Sequence, residues 1–310
     1  MKLVMILLVR DEADIIQHNI EFHLHQGIDH IVAIDNGSVD GTRDILADYM
    51  RSGTVTVIDE PRHDFAQSTW VTRAAIIARD DLGADWIFIN DADEFSMSSE
   101  GRLKSELAET DAHMLVCTRK NMVFPYNGTE DALWFERLVY RVDLPFKQSK
   151  IANIYTDELP CPYFYLDLPP KVIFRGTGLQ SVAMGNHSAR FSQKVRTAPA
   201  RICIYHFPVR SAAQFEQKIL QGGAAYLENK ELPESVGWHW RRWYRMILEE
   251  GITAVISEAL PSAERLQADL NCGSVVKDNT CRIKLCDLGL KEALLTNRSN
   301  NKPQLGLSDA

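Results

Sequence analysis

Apolar and polar positions alternate in blocks along the first third of the chain. Lys2–Val9 is an apolar run behind a single cation and reads as a buried strand. Asp14–Gln26 reads as a helix, because Ile16, Ile20 and Leu24 recur every four residues on one face and Gly27 supplies a stop. His30–Ile34 is a second strand. The turn Asp35–Gly41 follows, and Asp40 is a plausible N-cap for a helix carrying Ile45, Leu46 and Tyr49. Val55–Ile58 is a third strand, rich in β-branched residues. Gln67–Arg79 reads as a helix using Trp70, Ala74 and Ile77, and Trp86–Asn90 as a fourth strand. A helix near Glu100–Glu109 and a strand at His113–Thr118 continue the alternation. Strands and helices taking turns predict βαβ units, an α/β fold and a mainly parallel central sheet flanked by helices.

After Asn121 the rhythm changes. Trp134–Val142, Lys171–Arg175 and Ala200–Phe207 read as strands, separated by loops containing Pro160, Pro162, Pro169 and Pro170. Helices are predicted over Ser211–Asn229, Gly237–Glu250 and Thr253–Ala259. From Thr296 the chain is polar with almost no apolar pattern, so 296–310 is expected to be a disordered tail. There is no internal repeat.

Composition narrows the function classes. The 310 residues are 45% hydrophobic and 25% charged, an ordinary globular balance. A net charge of -8 argues against a general nucleic-acid binder, which would carry excess Lys and Arg. It leaves anionic ligands open, since a site needs only local positive charge. The first apolar run ends at Arg10, Asp11 and Glu12, too short for a membrane span and without a small-residue cleavage site. The expectation is therefore a cytoplasmic protein. Cys117, Cys161, Cys203, Cys272, Cys281 and Cys286 are scattered without a C-x-x-C pair, so free thiols are expected rather than a zinc site.

The chemistry concentrates in Asp85–Met97, where the fourth strand runs straight into Asp91, Asp93 and Glu94. Ligands of an open α/β sheet sit at the carboxyl ends of its parallel strands. In extended chain, positions i and i+2 point the same way, so Asp91 and Asp93 would face one spot. Their repulsion calls for a cation between them, and carboxylate oxygens suit Mg2+ or Mn2+ together with substrate phosphates. Asp35 also lies at a strand end before a tight turn, where an acid can accept from a nucleobase N–H or a ribose hydroxyl.

The combination of LLVRDEADII, AIDNGSVDGT and GADWIFINDADEF resembles a family 2-type glycosyltransferase with the GT-A fold, in the subgroup carrying a D-x-D-E-F motif. Weaker likenesses are HDFAQSTWVTRA (His63–Ala74), PPKVIFRG, GNHSARF and IYHFPVRSAAQFEQK. The resemblance implies a GT-A domain over 1–230, with a nucleotide-sugar half over 1–120 and an acceptor half over 121–230. A helical C-terminal extension over 231–295 would follow. It implies that Asp35 or Asn36 contacts the base or ribose, Asn36 being a departure from the family's usual Asp-Asp. Arg73 would lie near the nucleotide, Asp91 would face the ribose or the metal, and Asp93 would ligate Mn2+ or Mg2+. His187 or His206 would complete the metal shell, and Lys171, Arg175 or Lys218 would add positive charge.

The partners implied are a nucleotide-diphosphate sugar and a glycan or lipid-linked acceptor, with surface polysaccharide or lipopolysaccharide assembly as the pathway. If the reaction inverts, the acceptor hydroxyl needs a general base. Asp157 and Glu158, in a Pro-bounded loop, are the candidates. In Trp238–Glu250, aromatics interleave with Arg241, Arg242 and Arg245. That pattern would suit peripheral contact with the inner face of a membrane. The preferred reading is a helix packing Trp240, Trp243 and Ile247 on the core while its arginines snorkel. A nucleotidyltransferase would open with a Gly-rich basic loop, and a haloacid-dehalogenase-type phosphatase would carry its D-x-D on the first strand. A non-catalytic carbohydrate-binding module is the rival from another class.

Overall fold

The computed structural model describes residues 1–62, 67–99, 101–128, 133–147, 151–229 and 232–290. The expected tail at 296–310 and the start of the His63–Ala74 motif lie outside the described residues. The first half runs β1 (Leu3–Val9), α1 (Ile16–His25), β2 (His30–Asp35), α2 (Thr42–Arg51), β3 (Val55–Asp59), α3 (Gln67–Asp80) and β4 (Trp86–Asp91). Next come β5 (Glu94–Ser98), α4 (Leu103–Glu109), β6 (Met114–Val123), α5 (Trp134–Arg137), β7 (Tyr140–Val142) and β8 (Lys171–Arg175). A short hairpin, β9 (Leu179–Val182) with β10 (Ala189–Phe191), precedes β11 (Thr197–His206). The chain closes with α6 (Ala212–Glu228), α7 (Trp238–Glu250), α8 (Ile252–Ala259), α9 (Ala263–Cys272), β12 (Val275–Lys277) and α10 (Thr280–Asp287).

The central sheet has the order β12-β7-β6-β8-β4-β1-β2-β3, with β11 beside β6 and β5 beside β11. The block β4-β1-β2-β3 is parallel, as is β6 with β11. Strands β5, β7, β8 and β12 join antiparallel, so the α/β sheet is mixed beyond its parallel block. Both faces of β1, β2 and β4 are covered, which is why these strands read as nearly unbroken apolar runs, whereas β3 is a part-exposed edge strand. Met5, Leu7 and Phe88 pack on the layer containing Ile16 and Ile20 of α1. Val4, Ile6 and Ile87 pack on Trp70, Ala74 and Ala78 of α3. Apolar residues of α7 to α10, among them Trp243, Val255, Leu266 and Leu285, join the same cluster as β1.

Three expectations change. Trp134–Val142 is not one strand: Trp134–Arg137 is a helical turn that buries Trp134 and Phe135, and only Tyr140–Val142 is extended. Asp40 is not the N-cap of α2. Gly41 takes that place with φ 100, while the Asp40 carboxylate accepts from the Thr42 N–H at 3.0 Å. In α7 the arginines do not all reach out to water. Arg241 and Arg242 are buried, and Arg242 forks onto Glu258 and donates to the carbonyls of Ile154 and Asp157 at 2.9 Å each.

Candidate active site

The order of the parallel block fixes where a site can lie. Strands β1, β2 and β3 run outward in one direction, and β4 lies on the other side of β1. A crevice opens where strand order reverses, at the carboxyl ends of the two strands flanking that point. Leu8 of β1 pairs with Asp91 of β4, so Arg10–Glu12 and Asp91–Asp93 leave the sheet side by side. A cavity of about 380 Å³ opens here. Arg10, Glu12, Asn36, Asp91, Asp93, Arg119, His206 and Lys218 line it.

The Asp91–Asp93 segment is a turn, not extended chain. Ala92 and Asp93 reverse direction, and β5 begins at Glu94 and pairs antiparallel with β11. That register sets His206 opposite Glu94, and the Phe207 N–H donates to the Asp93 carbonyl at 2.8 Å. Asp91 and Asp93 both line the cavity, but the reversal rather than strand alternation brings them there.

Each carboxylate of the motif has a lysine. Lys171, only 1% exposed, donates to Asp91 at 2.5 Å and to Glu94 at 2.6 Å. Arg119 pairs with the other oxygen of Glu94 at 3.1 Å. Lys218 donates to Asp93 at 2.6 Å and lies 3.4 Å from Glu12. Burial works to raise the Asp91 carboxyl, and Lys171 outweighs it, leaving the pKa below the ordinary range. Burial opposes Asp93 in the same way, but Lys218 and His206 hold it well below. Glu12 is the exception. Its burial outweighs Arg210 and Lys218, and its pKa is raised. Arg210, 1% exposed, bridges Glu12 and Asp14, the latter at 2.7 Å, so β1's exit loop is tied to the start of α6.

His206 bears on the expected metal. Asn121 donates through Nδ2 to the Phe164 carbonyl at 2.8 Å, so its Oδ1 faces His206 Nδ1, also at 2.8 Å. That contact puts a proton on Nδ1 and directs Nε2 at Asp93 Oδ2, 3.6 Å away. A second acceptor holding the far nitrogen of a histidine is the usual support of a metal-ligating imidazole. Asp93 and His206 therefore fit a divalent cation as two of its ligands, although Lys218 shares the same carboxylate oxygen. Among the described residues no group of three His, Cys, Asp or Glu side chains gathers around one point.

The other predicted residues fall in different places. Asn36 lines the cavity, and its amide donates to the carbonyls of Glu60 and Arg62 at 2.8 and 2.6 Å. The Asp35 carboxylate turns back onto Ser38, accepting from its hydroxyl at 2.5 Å. Arg73 is half-exposed and pairs with Glu60 at 3.1 Å. His187 is exposed, with Nδ1 held by the Pro170 carbonyl at 2.8 Å, and it does not reach the Asp93–His206 pair. Asp157 and Glu158 do not line the cavity. The Asp157 carboxylate accepts from the N–H groups of Ala152 and Asn153 at 2.9 and 3.0 Å, and Glu158 is exposed.

Four contributors went unread in the sequence. Glu12, Asp14 and Arg210 look like turn charges, and Arg119 like a solvated strand residue. Only the fold shows that they converge.

Comparison with known proteins agrees with the class this crevice defines. The sequence model of glycosyltransferase family 92 matches residues 7–175, from β1 through β8. The chain belongs to glycosyltransferase family 92. The match stops before His206, Arg210 and Lys218. No curated protein matches the sequence. Similar solved structures include residues 1–349 of TarS from S. aureus, 14% identical with a TM-score of 0.39, over 100% of this chain and 95% of that one. The same protein in a structure titled as a complex with UDP-GlcNAc is 14% identical with a TM-score of 0.36, over 100% and 95%.

Proposed function

We propose that this glycosyltransferase moves a sugar from a nucleoside-diphosphate donor to a hydroxyl acceptor. The donor's diphosphate lies at the Asp91–Asp93 turn, and Asp93 and His206 hold Mn2+ or Mg2+ there. The observation that carries this reading is the Asp93–His206 pair, whose Oδ2 and Nε2 lie 3.6 Å apart in a buried corner. Such an ion offsets the charge that develops on a departing diphosphate.

The chain's own cations act on the same charge. Lys218 and Arg119 line the cavity, and the buried Nε of Arg119 has no partner among the described residues. Asn36, at the β2 side of the crevice, is the residue placed to meet the donor's base or ribose. Asp91, whose side chain is 39% exposed, is the motif carboxylate open to a hydroxyl.

The test is a thermal-shift panel of UDP, GDP, dTDP, ADP and CMP, each with and without Mn2+. A ligand at a hundred times its dissociation constant stabilises a fold by about 2.7 kcal/mol. One diphosphate should shift the protein only with Mn2+, and both Asp93→Asn and His206→Phe should abolish that shift. A shift of equal size without metal would move the phosphate-neutralising role to Lys218. No shift with any nucleotide would sink the donor site and favour a carbohydrate-binding module.

A further inference from the structure

Part of the wall of this cavity is aromatic. Tyr163, from the turn before β8, lies 4.7 Å from His239 of α7 with the rings 31° apart. His239 lies 5.5 Å from Trp240 at 40°, and Trp240 lies 6.3 Å from Tyr226 of α6 at 21°. All four line the cavity, so their tilted rings form one continuous row. His239 and Trp240 are half-buried. Burial keeps the His239 imidazole neutral, with its pKa pushed down to about 3. It makes no hydrogen bond among the described residues.

Two adjacent glycines build this wall. A Cβ on Gly222 would stand 2.6 Å from the Trp240 ring, and one on Gly223 would stand 2.4 Å from Tyr244 Cβ. Each glycine inside a helix costs about 1 kcal/mol relative to alanine. Here they let α7 approach closely enough for its aromatic face to border the cavity.

The same cavity is also lined by Asp91, Asp93, Glu12, Arg119 and Lys218, so charged and aromatic groups border one space. A lipid chain wants apolar walls on both sides. A pyranoside is amphiphilic: its C–H face suits the electron-rich face of an aromatic ring, and its hydroxyl rim suits charged and imidazole partners. We infer that the Tyr163–His239–Trp240–Tyr226 row is the acceptor subsite and that its ligand is a pyranoside, C–H face on the rings and hydroxyl rim toward Asp91. The assignment as acceptor rests on reading the Asp91–Asp93 turn as the donor's diphosphate site. The sheet order supports it. Asn36 lies on the β2 side of the turn, whereas Tyr163, at the head of the row, packs beside β6.

Ligand-observed NMR on the full chain tests this. The probes are the methyl α- and β-glycosides of glucose, galactose, mannose and N-acetylglucosamine, with and without the nucleoside diphosphate that gives the thermal shift. At least one glycoside should bind. Trp240→Ala should weaken it by about tenfold or more, Trp240→Phe should retain it, and Leu248→Ala, at an exposed position of α7, should leave it unchanged. Nucleotide affinity should be the same in all three variants. No glycoside binding, or binding indifferent to Trp240→Ala, would overturn the inference. A matching loss of nucleotide binding would overturn it too, by making the row a base platform. Glycoside binding that depends on Trp240 in a protein that binds no nucleotide would keep the pyranoside site and sink the donor reading.

Discussion

Asn19 of α1 and Asn90 at the end of β4 meet at 3.2 Å beneath the acidic turn. The Asn19 amide donates to the carbonyls of Ala92 and Glu94, at 2.8 Å each, and the Asn90 amide donates to Asp91 and Glu94, at 2.9 and 3.0 Å. The reversal that aims Asp91 and Asp93 is thus held from below by two fully buried side chains. Asn19→Leu strips the buried Ala92 carbonyl of its side-chain donor, leaves Glu94 only that of Asn90, and removes the Asn19 oxygen from Asn90, at roughly 1–3 kcal/mol for each buried group left unpaired. Urea unfolding should show a loss of about 3 kcal/mol, with nucleotide binding weakened although residue 19 touches no ligand.

Lys218 gives a sharper test of the corner. Lys218→Met removes the ammonium nearest Asp93, which is only 3% exposed. Breaking a buried pair on one side costs about 3–5 kcal/mol, and removing both charges costs much less. The double variant Asp93→Asn with Lys218→Met should therefore regain stability over Lys218→Met alone, measured by urea unfolding. Sugar transfer should stay lost in both.

His18 and His23 predict acid sensitivity. Burial pushes both down to about 4 from an ordinary 6.5. His23 Nε2 accepts the Ser96 N–H at 3.2 Å, so the neutral ring is part of the structure. A folded pKa below the unfolded one means that the stability is full above the unfolded value. It drains as pH falls from 6.5 through 4. The cost is about 1.4 kcal/mol per unit, or roughly 3 kcal/mol for His23 alone by pH 4. His23→Gln should flatten the fall in urea midpoint between pH 7 and pH 4.

Gly222→Ala sets helix propensity against close packing. Propensity alone would favour alanine by about 1 kcal/mol. The new methyl would stand 2.6 Å from the Trp240 ring. A lowered melting temperature, with altered Trp240 fluorescence, is the expected result, and a raised one would mean that α7 can shift freely.

Arg242→Lys should not be conservative. The guanidinium serves Glu258 and two carbonyls of the 154–157 segment together. A lysine cannot reproduce that fork. A loss of about 2 kcal/mol, with faster proteolysis in the loop carrying Asp157 and Glu158, is expected.

The parallel block was legible because strands buried on both faces leave unbroken apolar runs, and the helices between them repeat at four residues. β5 escaped notice because the reversal at Ala92–Asp93 contains neither Gly nor Pro, so Glu94–Ser98 reads as the tail of an acidic loop. Trp134–Val142 misled because aromatic and branched residues favour strands, whereas here Trp134 and Phe135 fill a pocket against His18. α10 buries only Cys281 and Leu285, too few positions to give a period. Within the site, Asp91, Asp93, His206 and Lys218 were visible as chemistry at strand ends and in a late motif. Asn19, Asn90 and Arg210 were not, since their roles depend on partners that only the tertiary fold supplies.

The ties around β1's exit loop join distant parts of the chain. Arg210 grips Glu12 and Asp14, while Gln217 and Gln221 donate to Asp11 at 3.2 and 2.6 Å. During synthesis the βαβ units at the front can form from local contacts as they emerge. The crevice cannot be finished then. Its lysine, its histidine and most of its aromatic wall are all still to be translated, so a nascent chain released before β11 would hold the acids of the turn without the groups that face them. The crevice closes only once α6 and α7 have packed onto the finished sheet.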